Sequence, residues 1–276
     1  MGCCHPSDRL NGTLPLDAKP LKLFDTTTSK FYLDGHDRVW KIHTEPSAYE
    51  IGHMLRNNCF VLSMNTHEHI LKPIQVTHVS ALSISIVMPH ASEDLFSILS
   101  KPFDFQWISD QLLGIADAIH CLHRSGRAHR DIKPENIVIH EGKLKLIDFD
   151  FCYPLSVLAH CGTEYFNCTK AMTENWLQPV EEKSKKMDVY GFGKLIMSIL
   201  WQAPGPHVVL YRSFAFETFH QTFVTSCKHL YTGLYGQWCS VALLCLMSEP
   251  PSQIPIHLVT SPEYEFEKIH ICIEHN

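Results

Sequence analysis

Asp131 and Asn136 lie five residues apart, and Asp148 follows Asp131 by seventeen. Two carboxylates and an amide brought to one place suit a magnesium ion. Mg²⁺ binds few protein carboxylates and completes its shell with phosphate oxygens and water. The residues between them supply a way to converge. "NIVIH" and "KLKLID" read as two short strands around Glu141-Gly142, a hairpin that would carry the three side chains to one edge.

Other elements must hold that edge in place. "LKLF", "KFYLDG" and "RVWKIH" read as three short strands, the last two joined at Asp34-Gly35-His36, a strong hairpin signal. "PSAYEIGHMLRNN" sets Tyr49, Ile51, Met54 and Leu55 at near-helical spacing, with Pro46-Ser47 suited to the helix start. "HILKPIQVTHVSALSISIVMPH" predicts two more strands. "SEDLFSIL" and "QWISDQLLGIADAIHCLHRSG" predict helices, the longer with Ile108, Leu112, Ile115, Ala116, Ile119 and Leu122 along one face and Gly126 closing it. "KSKKMDVYGFGKLIMSILW" and "WCSVALLCLMSE" add buried helices. A strand-rich first ninety residues thus precede a helix-rich remainder, the pattern of an α+β fold. Residues 1–20, rich in Pro, Gly and Asp without periodicity, read as an irregular lead-in, and the ordered domain is expected from Leu21 to residue 276.

Composition narrows the function classes. The 276 residues carry 23 basic and 29 acidic side chains, a net charge of −6, so the bulk positive field that drives nucleic-acid binding is missing. The eleven cysteines form no CxxC pair and no framework spacing, which predicts reduced thiols in a cytosolic compartment. The longest apolar run, Val241 to Met247, is too short to span a bilayer, and the N-terminus lacks the apolar core of a signal peptide. A soluble, cytoplasmic, monomeric protein is expected. "MGCCHPS" offers Gly2 for myristate and Cys3 or Cys4 for palmitate, the two anchors a stable membrane attachment needs, although Pro6 stands where that motif wants Ser or Thr.

"HRDIKPEN" followed by "DFD" resembles the catalytic loop and metal-binding motif of the eukaryotic protein kinases. The resemblance implies a two-lobed fold, with a small antiparallel-sheet lobe carrying one helix over about 21–89 and a larger, mainly helical lobe over about 90–276. It implies ATP and Mg²⁺ as cofactors and a protein Ser/Thr hydroxyl as acceptor. Asp131 would take the proton of that hydroxyl, Lys133 would steady the transferred phosphate, and Asn136 and Asp148 would hold the metal. A lysine at 133 followed by "PEN" is the serine/threonine variant. "RVWKI" resembles the third-strand lysine motif, which makes Lys41 the ligand of the α- and β-phosphates and Glu50 its helix partner, with Glu45 as the alternative. "ISIVMPHASEDL" resembles the fifth strand and hinge, with Met88 near the gatekeeper and Pro89 to Ala91, His90 among them, facing adenine. "CGTEYF" resembles the peptide-docking segment, and "DVYGFG" the helix whose Asp188 anchors the loop backbone.

The pattern departs from the family in three places. No glycine occurs between Gly12 and Gly35, where a glycine-rich phosphate loop is expected; Thr26 to Ser29 would offer hydroxyls instead, with Asp25 adding like charge nearby, so nucleotide binding is expected to weaken. "NCT" (Asn167 to Thr169) replaces the Ala-Pro-Glu motif and Gln253 replaces its buried Arg partner, a paired loss that leaves no orphan charge. Asp150 stands where the third residue should be glycine. It would stiffen the segment, add a carboxylate near the metal or face solvent. Arg130 keeps open a control by phosphorylation. A pseudokinase scaffold and a small-molecule phosphotransferase of the aminoglycoside or choline kinase type are the alternative readings. The trimmed loops also resemble compact kinases of large DNA viruses, for which host cytoplasm or nucleus would be the location.

Overall fold

The structure is a computed structural model. It describes residues 14–21, 26–45, 47–168, 170–202, 233–246 and 250–260. Gly2, Cys3, Cys4, Pro6, Asp25, Thr169 and most of the strand expected over residues 21–24 lie outside the described residues. The chain divides into two compact units, Met1–Ser92 with Val138–Cys152, and Glu93–Ile137 with Tyr153–Asn276.

The first unit is built on a five-stranded antiparallel sheet of β1 (Lys19–Pro20), β2 (Ser29–Leu33), β3 (Arg38–Thr44), β4 (Gln75–Ser80) and β5 (Ser83–Pro89), in the order β1-β2-β3-β5-β4. The first strand falls two residues before the expected start of the domain, paired to β2 through Lys19 opposite Leu33. The expected turn at Asp34 closes β2 onto β3. The Asp34 carboxylate accepts from the backbone N–H groups of His36 and Arg38 and from Trp40 Nε1 at 2.8 Å, and Asp37 takes a left-handed φ of 57°. Helix α1 (Ala48–Ser63) is capped by Ser47 as its sequence predicts. Its Ile51 and Met54 pack with Ile84 and Ile86 of β5, each fully buried aliphatic contributing roughly 1.5–3 kcal/mol. Tyr49, grouped with them by spacing, points outward at 70% exposure.

The expected hairpin forms as β8 (Ile137–His140) and β9 (Lys143–Leu146). Glu141 and Gly142 have φ of 54° and 73°, the double left-handed turn that matches strand twist. Leu146 donates its N–H to the His69 carbonyl and accepts from the Leu71 N–H, and residues 138–152 group with the first unit. The first unit thus takes in a second stretch of chain in addition to most of the small lobe expected over about 21–89.

The second unit opens with β6 (Glu93–Asp94) and α2 (Leu95–Leu99), followed by α3 (Phe105–Arg124). The six apolar residues singled out along α3 are all buried. Asp104 caps its start through the N–H groups of Gln106 and Trp107, and Gly126 follows its end at φ 79°. Two short strands, β7 (Arg127–Ala128) and β10 (Tyr153–Pro154), pair antiparallel. Then come α4 (Lys170–Glu174), the 23-residue α5 (Val180–Gln202), α6 (Gly233–Cys245) and α7 (His257–Thr260). Gly193 of α5 lets α6 approach closely, since a Cβ there would stand 2.7 Å from that of Cys245. Trp238 of α6 is fully buried and donates to Ser109 Oγ on α3 at 2.6 Å. The described cysteines are free thiols, and among the described residues no helix is long and apolar enough to cross a membrane.

Candidate active site

In the second unit the stretch His129 to Asn136 is fixed before any side chain does chemistry. Arg130 has a left-handed φ of 68°, a conformation that a non-glycine residue holds only where its surroundings enforce it. Asp188 of α5 provides the enforcement, as its motif predicts. Its carboxylate accepts from the backbone N–H of His129 at 2.8 Å and of Arg130 at 2.7 Å, and His123 Nε2 lies 2.8 Å away. Burial works to raise the Asp188 pKa, yet the hydrogen bonds and the neighbouring His123 and His129 hold it below the ordinary carboxylate value. A depressed carboxylate stabilises the fold above its unfolded pKa, and that stability is lost as pH falls through the folded value. Asp188→Asn should cost about 2–3 kcal/mol in denaturant unfolding at neutral pH. It should also flatten the stability profile on the acid side.

This frame presents Asp131. Its Oδ2 accepts from Asn136 Nδ2 at 2.9 Å and from Lys133 Nζ at 2.8 Å, while Oδ1 accepts from the backbone N–H of Thr163 at 2.6 Å. Asn136 donates in addition to the Asp131 carbonyl, and Lys133 donates to Thr163 Oγ1 at 2.6 Å. Three residues singled out from sequence spacing are therefore in mutual contact, and Thr163 of "CGTEYF" joins them.

Gly162 makes that contact possible, a role sequence reading did not assign. At φ 87°, a Cβ on it would meet the Arg130 carbonyl at 2.3 Å and Asp131 Oδ1 at 2.9 Å. Asn167, from the segment that replaces the family's motif, ties the same turn by donating to the carbonyls of Cys161 and Thr163. Gly162→Ala should displace the Asp131 carboxylate and lower any phosphoryl-transfer rate by about 10²-fold, the scale of a 1 Å misplacement. Steady-state rates on a variant with native circular dichroism would check this.

Arg130 is turned inward, at 1% exposure. Its guanidinium donates to the carbonyls of Pro154, Val157 and Ala159 and to Ser184 Oγ of α5, and stacks 5.6 Å from the Tyr153 ring. Its two terminal guanidinium nitrogens thus hold the segment 154–159, the arrangement against which the control by phosphorylation left open for Arg130 has to be weighed. Gln253 is exposed, in keeping with the absence of a buried charge at that point.

A second cluster lies wholly within the first unit. Lys41 of β3 is buried and donates to Asp148 Oδ1 at 2.9 Å and to Asp150 Oδ2 at 2.6 Å. Burial opposes its charge, but the two carboxylates outweigh it and hold the ammonium above its ordinary pKa. Glu50, expected as its partner, is exposed in the first turn of α1, and Glu45 pairs with His43 at 3.0 Å. Nine residues of chain bring only the start of α1 after β3. The side chains of α1 that reach the cluster come two turns later: Asn58 Nδ2 donates to Asp150 Oδ1 at 2.9 Å and Asn57 Nδ2 to the Asp150 carbonyl at 2.7 Å. Asp150 therefore faces Lys41 and Asn58 and not solvent.

The remaining candidates are placed as follows. Ser29 stands directly across β2–β3 from His43, and its buried hydroxyl lies 2.6 Å from His43 Nδ1, which corrects its assignment to phosphate. Thr26 closes a local turn, its Oγ1 accepting from the N–H groups of Thr28 and Ser29. Met88 packs on the Ile51–Ile86 cluster. His90 donates its backbone N–H to Asp37 and accepts from the His140 ring at its carbonyl, and its own ring lies 2.8 Å from Asp37. Both of its backbone groups thus have partners within the first unit, where adenine contacts were expected.

The Lys41–Asp148–Asp150 cluster of the first unit offers groups whose chemistry suits a phosphate and a divalent cation. Asp148 keeps 33% of its side chain exposed against 7% for Asp150 and holds a left-handed φ of 62°, so it is the carboxylate that a cation can reach. In the second unit, Asn136 directs its amide nitrogen to Asp131, so its amide oxygen is the end of the side chain turned away from that carboxylate.

Comparison with known proteins gives the family. A family model described as the protein kinase domain matches residues 38–212, more than half of the chain. The chain is similar to cyclin-dependent kinase-like 2 of Rattus norvegicus, 28% identical over 42% of this chain and 23% of that protein. It is also similar to cyclin-dependent kinase G1 of Arabidopsis thaliana, at 26% over 54% of this chain and 25% of the other. Serine/threonine-protein kinase PknK of Mycobacterium tuberculosis (strain ATCC 25618 / H37Rv) is 30% identical over 42% of this chain and 11% of its own length. Each match thus covers a quarter or less of the relative. A mammal, a plant and a bacterium lend no support to the viral resemblance. With the ordered clusters around Asp131 and Lys41 and the match over 38–212, the chain belongs to the protein kinase domain family.

Proposed function

We propose that the protein is an ATP-dependent serine/threonine protein kinase. The observation that carries the reading is the Asp131 carboxylate, held by Asn136, Lys133 and the Thr163 N–H. Asp131 accepts the proton of a Ser or Thr hydroxyl as that oxygen attacks phosphorus. Lys133, bridging Asp131 and Thr163, offers positive charge beside the arriving phosphoryl group. On this reading Lys41 would pair with phosphate oxygens, and Asp148 and Asn136 would each be a ligand for Mg²⁺. ATP supplies the γ-phosphoryl group, leaving as ADP, and Mg²⁺ offsets the charge of the phosphates. The serine/threonine choice draws on Lys133 and on relatives bearing that description. A cytosolic monomer acting on protein, with any membrane attachment through acylation at Gly2, Cys3 or Cys4, completes the proposal.

Incubation of the purified protein with labelled ATP, Mg²⁺ and a basic protein tests it. Label should appear on Ser or Thr and vanish with a chelator. Nucleotide binding without transfer would instead favour a scaffold, and label on choline or an aminoglycoside alone would favour a small-molecule phosphotransferase.

A further inference from the structure

We infer that Asp150 is the permanent partner of Lys41, a positioning residue that replaces a carboxylate on the helix and ties α1 to the metal-binding segment. The inference rests on the kinase reading for what Lys41 does with nucleotide, and on the ligand-free geometry for the rest.

Lys41 Nζ has two carboxylates within hydrogen-bond distance, and they differ in access. Asp148 is one-third exposed, whereas Asp150 is nearly sealed. A cation arriving at Asp148 competes with Lys41 for that carboxylate. Asp150 has nothing to give up: Oδ2 takes Lys41 at 2.6 Å and Oδ1 takes Asn58 at 2.9 Å. When Asp148 turns to a metal ion, Asp150 keeps the ammonium at its post. Buried charges persist only when paired and hydrogen-bonded, and this pair satisfies both conditions.

The same residue fastens the helix. Asn57 donates to the Asp150 carbonyl and Asn58 to its carboxylate, and both amides are buried. Asparagine is a poor helix former, so two in a row on a buried stretch of α1 need partners, and Asp150 is the partner of both. Glycine at 150 would remove the carboxylate and return backbone freedom to the segment. The departure from the family motif is therefore coupled to a second: the α1 side chain facing Lys41's partner is an amide. An acid at 58 beside an acid at 150 would set three carboxylates, with Asp148, around one ammonium.

A four-way comparison tests the inference: wild type, Asp150→Gly, Asn58→Glu, and the double variant, which moves the carboxylate from the segment to the helix. Each is measured for thermal unfolding without ligand and for calorimetric binding of a non-hydrolysable ATP analogue with Mg²⁺. Asp150→Gly should lower Tm by about 8–10 °C and weaken analogue binding roughly tenfold. Asn58→Glu should also lower Tm, through like-charge repulsion. The double variant should recover most of both losses, which a packing role for Asp150 would not produce. A double variant no better than Asp150→Gly, or an Asp150→Gly protein with wild-type Tm and affinity, overturns the inference. If the wild type binds analogue but never transfers phosphate, the kinase reading fails while the binding cycle still decides this one. If it binds no analogue, the positioning role toward nucleotide is refuted, and recovery of Tm in the double variant would then leave only the structural pairing.

Discussion

Asp131→Asn should lower phosphoryl transfer to protein about a thousandfold, within the 10²- to 10⁴-fold range of a general base. Asparagine keeps the shape and one acceptor oxygen for the Thr163 N–H, and the donors that lose Oδ2 retain second acceptors, Asn136 at the Asp131 carbonyl and Lys133 at Thr163 Oγ1, so the loop should stay in place. What goes is the negative charge, and with it the ability to take a proton from the acceptor hydroxyl. Lys41 and Asp148 belong to a separate cluster, so affinity for an ATP analogue should be unchanged. The check is a pair of measurements, single-turnover transfer and analogue binding. A drop of less than tenfold in transfer, with binding intact, would remove Asp131 from the role of base.

Arg130→Ala should have the largest effect on stability. The change withdraws donors from three backbone carbonyls, of Pro154, Val157 and Ala159, and from Ser184 Oγ. Ser184 still donates to the Leu155 and Val157 carbonyls, so part of the loss is covered. Buried acceptors left without donors cost about 1–3 kcal/mol each, and the net loss should be about 3–5 kcal/mol, a fall of roughly 10 °C in Tm. The wild type should transfer phosphate equally well after phosphatase treatment, because Arg130 holds the 154–159 segment by its carbonyls. A marked fall in activity on phosphatase treatment, with Tm unchanged in Arg130→Ala, would contradict this assignment.

Much of the scaffold was legible where local rules act alone. Asp34-Gly35 and Glu141-Gly142 announce their turns, Ser47 announces a cap, and the apolar face of α3 needs only periodicity. Contacts among Asp131, Lys133 and Asn136 follow because the three share one short loop. The partner of Lys41 was not legible by the same means. Helical spacing says which face of α1 is apolar, but a buried ammonium pairs with whichever carboxylate the tertiary fold delivers, and Asp150 arrives from 109 residues away. One signal was present, the consecutive Asn57 and Asn58 within a helix that otherwise buries apolar side chains. Ser29 was open to a better reading as well: counting back from the Asp34 turn sets it opposite His43. Gly162 carries no local mark, since its constraint comes from Asp131 thirty-one residues earlier.

The hairpin over residues 138–152 has a consequence for anyone dividing this chain. The polypeptide leaves the first unit after Ser92, re-enters at Val138 and leaves again after Cys152. No single cut releases either unit whole. A fragment ending at Ser92 would keep Lys41 and α1 but lose both carboxylates that neutralise the lysine, together with the backbone partners of His69 and Leu71. The lysine and its counter-ions are thus encoded about a hundred residues apart, and a piece in which Lys41 is electrically complete must run at least as far as Asp150.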